Sequence, residues 1–111
     1  MHGLLEWVDL TAPDLALASV FYSELFGWEC AAEGGASDYL RCRKDGRLAA
    51  GIALAADSPA AWHSYVTVDS VDEVTARAAE LAATVAVEPR DLAPAGRMAY
   101  VVDPQGAGLG F

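Results

Sequence analysis

The chain has 111 residues, of which 54% are hydrophobic and 21% are charged, and its formal net charge is −9. This length and balance are typical of one globular domain and exclude a disordered chain. The acidic excess argues against nucleic acid or anionic membrane as a partner, and no apolar run approaches the ~20 residues that span a bilayer.

The first half of the sequence predicts a strand, a helix and three further strands. Leu4–Leu10 has the pattern of a half-buried strand. Asp14 precedes an apolar repeat of helical spacing that ends at Gly27, which predicts a helix between them. A turn is predicted at Gly34-Gly35, and Asp45-Gly46 predicts a hairpin. The three strands that follow the helix are predicted at Trp28–Glu33, Tyr39–Arg43 and Leu48–Leu54.

The second half repeats this order after a connection at residues 55–61. Trp62–Val68 is predicted to be a strand. Ser70 and Glu73 have the capping-box spacing, and the apolar stripe of the helix that they begin ends at Leu81. The turn Asp103-Pro104-Gln105-Gly106 predicts a second hairpin. The last three strands are predicted at Thr84–Val87, Met98–Val102 and Ala107–Phe111.

The two halves can be overlaid element by element, with Trp7 on His63 and Leu25 on Leu81. Either half alone would expose an apolar sheet face, and pairing the halves buries it. We therefore predict one α+β domain over residues 1–111, built from two β-α-β-β-β modules at about 4–54 and about 62–111. The modules are expected to be related by pseudo-twofold symmetry, with a curved mixed sheet around a cleft and the helices outside. A ferredoxin-like sheet is the alternative, although three strands after the first helix disfavour it.

Four segments in this order resemble the vicinal-oxygen-chelate superfamily, which contains glyoxalase-like, bleomycin-resistance and dioxygenase domains. Each segment is a weak signal alone, but their order and spacing are more specific, and they extend over essentially the whole chain. The segments are Asp14-Leu15 with Phe21-Tyr22, Leu25-Phe26-Gly27-Trp28, Val68-Asp69-Ser70-Val71-Asp72 and Asp103-Pro104-Gln105-Gly106.

The resemblance implies four metal-ligand positions, one on the first and one on the last strand of each module. By strand register they fall on Trp7, Gly51, His63 and Gly110. Only His63 can coordinate a metal, and one donor cannot hold a divalent ion against water. Asp9 lies on the same strand face as Trp7, but nothing ionisable lies near Gly51 or Gly110. We therefore expect a site with no metal and no cofactor.

Losing the metal ligands leaves room for an organic ligand in the expected cleft. Glycine and other small residues would form its floor, and aromatic side chains its walls, which suits a flat or partly aromatic molecule. The predicted ligand-binding residues are Trp7, Tyr39, Gly51, His63, Tyr65, Met98, Tyr100 and Gly110.

His63 and Asp9 are the candidate catalytic residues. An imidazole with an ordinary pKa of about 6.5 suits proton transfer. A structural role is the alternative for His63, and a structural or polar pocket role is the simpler interpretation of Asp9. The resemblance leaves three functions open. The first is metal-independent binding of a small metabolite or drug, and the second is an enzyme of secondary metabolism of the cyclase, epimerase, lyase or hydratase type. The third and least favoured is a metal-dependent glyoxalase or dioxygenase.

The remaining expectations concern the location and source of the protein, the state of its cysteines and its oligomeric state. No signal segment opens the sequence, so we expect a cytoplasmic protein, and the abundance of Ala and Arg is typical of a GC-rich bacterial genome. Cys30 and Cys42 fit no metal or redox spacing, and we expect both to be reduced, small apolar strand residues. A chain this small should gain by burying a shared face, so we expect a homodimer.

Overall fold

The computed structural model describes residues 2–32, 38–92 and 96–111, which contain two helices and eight strands in a β-α-β-β-β order that occurs twice. The predicted α+β class and the repeated order are confirmed, while the predicted Gly34-Gly35 turn lies outside the described residues. The first series is β1 (Leu4–Ala12), α1 (Leu15–Phe26), β2 (Glu29–Ala32), β3 (Tyr39–Lys44) and β4 (Arg47–Leu54). The second series is β5 (Ala61–Thr67), α2 (Val71–Glu80), β6 (Thr84–Leu92), β7 (Gly96–Val102) and β8 (Gly108–Gly110).

The eight strands belong to one mixed sheet in the order β2-β3-β4-β1-β5-β8-β7-β6. β1 pairs in parallel with β4, and β5 pairs in parallel with β8. Strands β2, β3 and β4 pair antiparallel with one another in sequence, as do β6, β7 and β8. Both halves thus have the same topology, and the ferredoxin-like alternative is wrong.

The chain divides into two compact units whose boundaries fall inside strands. We call Val8–His63 the N-terminal unit, and Ser64–Phe111 with the residues up to Trp7 the C-terminal unit. The first residues of β1 therefore belong with the second half of the chain. Within the C-terminal unit, for example, the Gly3 N–H donates to the Thr67 carbonyl oxygen over 2.6 Å.

Both helices begin, and α1 ends, where local capping chemistry predicts. The Asp14 carboxylate accepts a hydrogen bond from the Leu17 N–H over 3.1 Å, and Gly27 ends α1 with a φ of 75°, a conformation that favours glycine. The Ser70 hydroxyl accepts from the Glu73 N–H over 3.2 Å at the start of α2. Among the described residues, neither helix has the length and hydropathy that a membrane crossing would require.

The core of the N-terminal unit lies between α1 and one face of the sheet. Its buried side chains are Leu10, Ala12, Cys42 and Ile52, and those of Leu15, Ala18 and Tyr22 on α1 pack against them. Because strand side chains alternate between faces, the residues between these positions lie on the opposite face. Asp9 and Thr11 are placed there by this alternation.

The buried residues of the C-terminal unit include Ala99 and Val101 on β7 and Thr75 on α2. The Thr75 hydroxyl is buried and has no hydrogen-bond partner in the described part of the chain. At the surface, Arg97 binds Asp72 over 2.8 Å and Asp91 over 3.1 Å. Hydrogen bonds from Arg97 hold the pKa of the Asp72 carboxyl below its usual range.

The prediction that both cysteines are reduced was wrong. Cys30 and Cys42 form a disulfide and lie opposite each other in the β2–β3 pair. The separation of 12 residues between the two cysteines does not predict a disulfide. They meet because the register of the β2–β3 pair places them opposite each other. Cys42 is fully buried, so the cross-link anchors β2 to the core.

Strand β6 is longer than the predicted Thr84–Val87 segment, because it continues past Pro89 to Leu92. Proline cannot donate a ladder hydrogen bond, so it usually marks the end of a strand or a position at the sheet edge. β6 is an edge strand, and its register with β7 shifts between Val87 and Arg90. The sheet therefore accommodates the missing N–H.

Candidate functional site

The predicted site residues divide between the two compact units. The N-terminal unit contains Asp9, Tyr39, Gly51 and His63. The C-terminal unit contains Trp7, Tyr65, Met98, Tyr100 and Gly110. Several residues within each group contact one another, and a single cleft that contains both groups stays a prediction.

In the N-terminal unit, Gly51 on β4 lies between two polar residues on neighbouring strands. It pairs with Asp9 on β1 and with Arg41 on β3. A Cβ atom at Gly51 would overlap the hydroxyl end of the Tyr39 ring. The expected open floor above Gly51 is therefore wrong, because the Tyr39 side chain covers this glycine and requires its small size.

Asp9 is a half-buried carboxyl on the same face. Burial raises the pKa of Asp9, while the positive charge of His63 and a hydrogen bond from Tyr39 lower it by smaller amounts. The Tyr39 hydroxyl donates to Asp9 Oδ2 over 3.5 Å, longer than the usual O–H···O distance of about 2.5–3.0 Å. Because its pKa is raised, Asp9 holds a proton to a higher pH than an exposed aspartate does.

His63 on β5 is held by Thr11 on β1. The Thr11 hydroxyl oxygen lies 3.0 Å from His63 Nε2 and 3.3 Å from the carbonyl oxygen of Ala61. A hydroxyl has one proton to donate. When Thr11 donates it to Ala61, its oxygen can accept a hydrogen bond from Nε2–H, and Nδ1 is then the basic nitrogen of neutral His63.

Thr11 was not among the predicted site residues. Its signal in the sequence was its position two residues after Asp9, which places both side chains on one strand face. We call the four side chains on this surface the polar face: Asp9, Thr11, Tyr39 and His63.

In the C-terminal unit, tyrosine rings cover glycines in the same manner. Gly110 on β8 pairs with Tyr65 on β5 and with Tyr100 on β7. A Cβ atom would overlap the Tyr65 ring at Gly110 and the Tyr100 ring at Gly108. The two ring centroids are 6.1 Å apart with an interplanar angle of 62°, an edge-to-face contact. The expected open floor is again covered by aromatic rings.

Trp7 and Met98 are the other predicted site residues of the C-terminal unit, and both are half-buried. Met98 lies two residues before Tyr100 on β7 and therefore shares its sheet face. Their exposure is compatible with the predicted role in ligand binding, which stays a prediction.

The donor set of the polar face does not fit the metal that the superfamily resemblance implies. Catalytic zinc sites usually have three protein ligands, whereas Asp9 and His63 provide two at most, and Gly51 and Gly110 provide none. In the described ranges, no three His, Cys, Asp or Glu side chains are grouped so that they could hold a metal ion.

A concave surface lies beside α1, on the side of the sheet that faces the helix. This shallow groove has a volume of about 300 Å³, and its lining includes Leu10, Leu17 and Phe21. The lining is mostly apolar, and its titratable groups are Tyr22 and Asp14, the carboxylate that caps α1. The groove was not predicted from the sequence.

Comparisons with known proteins show the family of this chain. A family described as a glyoxalase-like domain matches residues 7–109. CFP32 of Mycobacterium tuberculosis, which is named as a candidate glyoxylase, is 34% identical over 99% of this chain. The anthracycline biosynthesis protein DnrV of Streptomyces peucetius is 32% identical over 95% of it. The chain spans 45% of the length of each of these relatives.

A solved structure shows the same fold at lower sequence identity. Homoprotocatechuate 2,3-dioxygenase from Brevibacterium fuscum, in its E323L mutant form, superimposes with a TM-score of 0.69 and 21% identity. The match covers 96% of this chain and 31% of the dioxygenase. At this identity the likeness is one of fold.

Proposed function

Because the chain belongs to the glyoxalase-like domain family, within the vicinal-oxygen-chelate superfamily, we propose that it binds a small organic ligand without a metal ion. The proposed site is the polar face of the N-terminal unit. The observation that carries the proposal is the half-buried Asp9 carboxyl with its raised pKa. Asp9 pairs with Gly51, a position at which the metal-binding pattern of the superfamily would require a metal ligand.

The contacts of Asp9 favour a ligand that has hydroxyl, amine or keto groups. Buried polar groups gain most from short, well-aligned hydrogen bonds. The 3.5 Å distance between the Tyr39 hydroxyl and Asp9 is long. A ligand hydroxyl that approached both groups from the side could accept from Tyr39 and donate to Asp9 over shorter distances. His63, held by Thr11, would provide a second polar contact.

The names of the relatives suggest a class of ligand. DnrV is named for anthracycline biosynthesis, and anthracyclines are flat, partly aromatic molecules with hydroxyl and keto groups. We therefore propose a ligand of this chemical class.

Binding can be tested by titrating a fluorescent anthracycline into the protein. Loss of a hydrogen bond to a half-buried group costs about 0.5–1.5 kcal/mol, or up to ~3 if the group is charged. His63→Ala should therefore weaken binding roughly three- to hundredfold. His2→Ala is the matched control, because His2 is the other histidine of the chain and is exposed. Equal binding by the parent and both variants, with unchanged folding, would refute the proposed site.

Metal independence has its own test. Elemental analysis of protein purified without added metal should give far less than one equivalent per chain, and chelation should leave anthracycline binding unchanged. About one equivalent of a transition metal, together with loss of binding after chelation, would contradict the proposal.

Proton transfer to the same ligand is a second candidate function. The specific observation is that a carboxyl with a raised pKa lies near an imidazole, so that Asp9 could act as an acid and His63 as a base. Incubating a keto-containing anthracycline with the protein in D₂O should then introduce deuterium beside the keto group. Asp9→Asn keeps an acceptor oxygen for the ligand but has no acidic proton, so it should abolish this exchange and weaken binding by only about 0.5–1.5 kcal/mol. Exchange at the uncatalysed rate with the parent would support binding alone.

A further inference from the structure

Basic residues are concentrated on one hairpin of this acidic chain. Four of its seven lysine and arginine residues fall within residues 41–47, on β3 and at the start of β4. Two of these side chains have contacts that support the fold. Arg43 donates to a carbonyl oxygen of the turn over 3.5 Å, and Lys44 donates to the Phe26 carbonyl oxygen over 2.9 Å. Arg41 differs from both in its position on the sheet.

Arg41 lies beside the polar face, in register with Asp9. The next residue, Cys42, is buried in the core, and side chains alternate along a strand, so Arg41 shares the opposite face with Tyr39. Gly51 pairs with Arg41 on one side and with Asp9 on the other. The hydroxyl end of Tyr39 lies over that glycine. Arg41, the Tyr39 hydroxyl and Asp9 therefore form a row across three strands.

The surroundings of Arg41 suit an anionic group of a ligand. Its partner in the register is Ala31 on β2 and Gly51 on β4, so neither directly opposite residue has a charge or a long side chain. Arg43, in contrast, lies opposite Glu29. Arg41 is also half-buried, and a partly desolvated cation gains more from an anion than an exposed cation does.

We propose that Arg41 binds a carboxylate of the ligand, which makes the ligand an organic acid. This inference rests on the proposed function, because it concerns the same site. A planar guanidinium can donate two parallel hydrogen bonds to the two oxygens of a carboxylate, which an ammonium group cannot do. Neighbouring strands are about 4.8 Å apart, so Arg41 and Asp9 lie about 10 Å apart across Gly51. A flat ligand of several fused rings is long enough to contact both.

The distribution of charge agrees with this assignment. A chain with a net charge of −9 repels an acidic ligand at long range. The repulsion is weakest where basic residues are concentrated, and that is the hairpin on which Arg41 lies. An acid that approaches the polar face from this hairpin therefore meets the least unfavourable field of the N-terminal unit.

A matched pair of probes tests the charge of the ligand. Anthraquinone-2-carboxylate and anthraquinone-2-carboxamide have nearly the same shape and the same keto groups, but only the first is an anion. Binding of each is measured by isothermal titration calorimetry at about 0.15 M salt. The parent should bind the acid about tenfold or more tightly than the amide, because charge-assisted hydrogen bonds are the stronger ones. Arg41→Gln should weaken binding of the acid about ten- to hundredfold and that of the amide less than about threefold.

Two further variants separate the geometry of Arg41 from its charge. Arg41→Lys keeps the charge but loses the paired donors, so it should recover only part of the preference for the acid. Arg47→Gln is the matched control, because it removes the same charge from an exposed position at the start of β4; it should keep the full preference. Circular dichroism shows whether each variant is folded, and the comparison of the two probes on the parent needs no variant.

Three outcomes would overturn the inference. The first is equal affinity of the parent for acid and amide, and the second is an equal loss of preference in Arg41→Gln and Arg47→Gln. The third is that neither probe binds. If the fluorescent anthracycline still binds in that case, the inference alone fails, whereas the absence of all binding would refute the proposed function with it.

Discussion

Replacing Gly51 with alanine tests whether the Tyr39 ring requires a glycine beneath it. The new Cβ would overlap the Tyr39 hydroxyl end, so the ring must move away. Moving it would break the hydrogen bond to Asp9, which contributes about 0.5–1.5 kcal/mol. It would also expose part of the half-buried ring, and on the order of 40 Å² of newly exposed apolar area at roughly 25 cal/mol for each Å² costs about 1 kcal/mol. Alanine regains about 0.5 kcal/mol in the strand, so the net expected loss is about 1–2 kcal/mol.

A double-mutant cycle isolates the contact between these two residues. The free energy of unfolding is measured by urea denaturation for the parent, Gly51→Ala, Tyr39→Ala and the double variant. In the Tyr39→Ala background no ring obstructs the new methyl group, so Gly51→Ala should become neutral or slightly stabilising. The coupling should therefore be about 1–2 kcal/mol. If Gly51→Ala costs the same in both backgrounds, Tyr39 does not pack on Gly51 as described.

Three other predictions concern the stability of the fold. Thr75→Val removes a buried hydroxyl that has no partner in the described residues. It should therefore stabilise the protein by about 1 kcal/mol and raise Tm by roughly 4 °C in a thermal melt. A lower Tm would contradict this prediction. Reducing the Cys30–Cys42 disulfide opens a link between residues 12 apart and should lower the free energy of unfolding by roughly 3 kcal/mol. Thiols that react with Ellman's reagent in the untreated, denatured protein would show that the bond is absent. In the folded protein the pKa of Asp72 is lowered mainly by its hydrogen bond from Arg97. The ion pair therefore stabilises the fold fully above the pKa that Asp72 has in the unfolded chain, and this stabilisation is lost as the pH falls through the lower folded pKa. Asp72→Asn should consequently flatten the acid side of the stability–pH curve, and an unchanged curve would count against the ion pair.

The parts of the fold that could be predicted from the sequence depend on local chemistry. Helix α1 begins after Asp14 and ends before Gly27. An N-cap carboxylate and a left-handed glycine give partners to the backbone groups that are left unpaired at helix ends, wherever the helix packs. Ser70 and Glu73 begin α2 for the same reason. The order of strands and helices followed from these signals together with the alternation of apolar residues.

The features that could not be predicted depend on which residues meet across strands. The Cys30–Cys42 bond and the contact of Tyr39 with Gly51 follow from strand register, which the spacing along the chain does not reveal. A glycine in a strand was interpreted as open space, although a neighbouring ring can require it equally well. Thr11 was overlooked because its position two residues after Asp9 gives its strand face but does not reveal its contact with His63.

The central claim is that a small organic ligand binds the polar face without a metal, and chemical-shift mapping tests it most directly. ¹⁵N-labelled protein, treated with a chelator and dialysed, would be titrated with a fluorescent anthracycline while its amide resonances are followed by NMR. The proposal predicts that the largest shifts occur at Asp9, Thr11 and His63. Shifts confined to Leu17 and Phe21 in the groove beside α1, or binding that requires added metal, would contradict the claim.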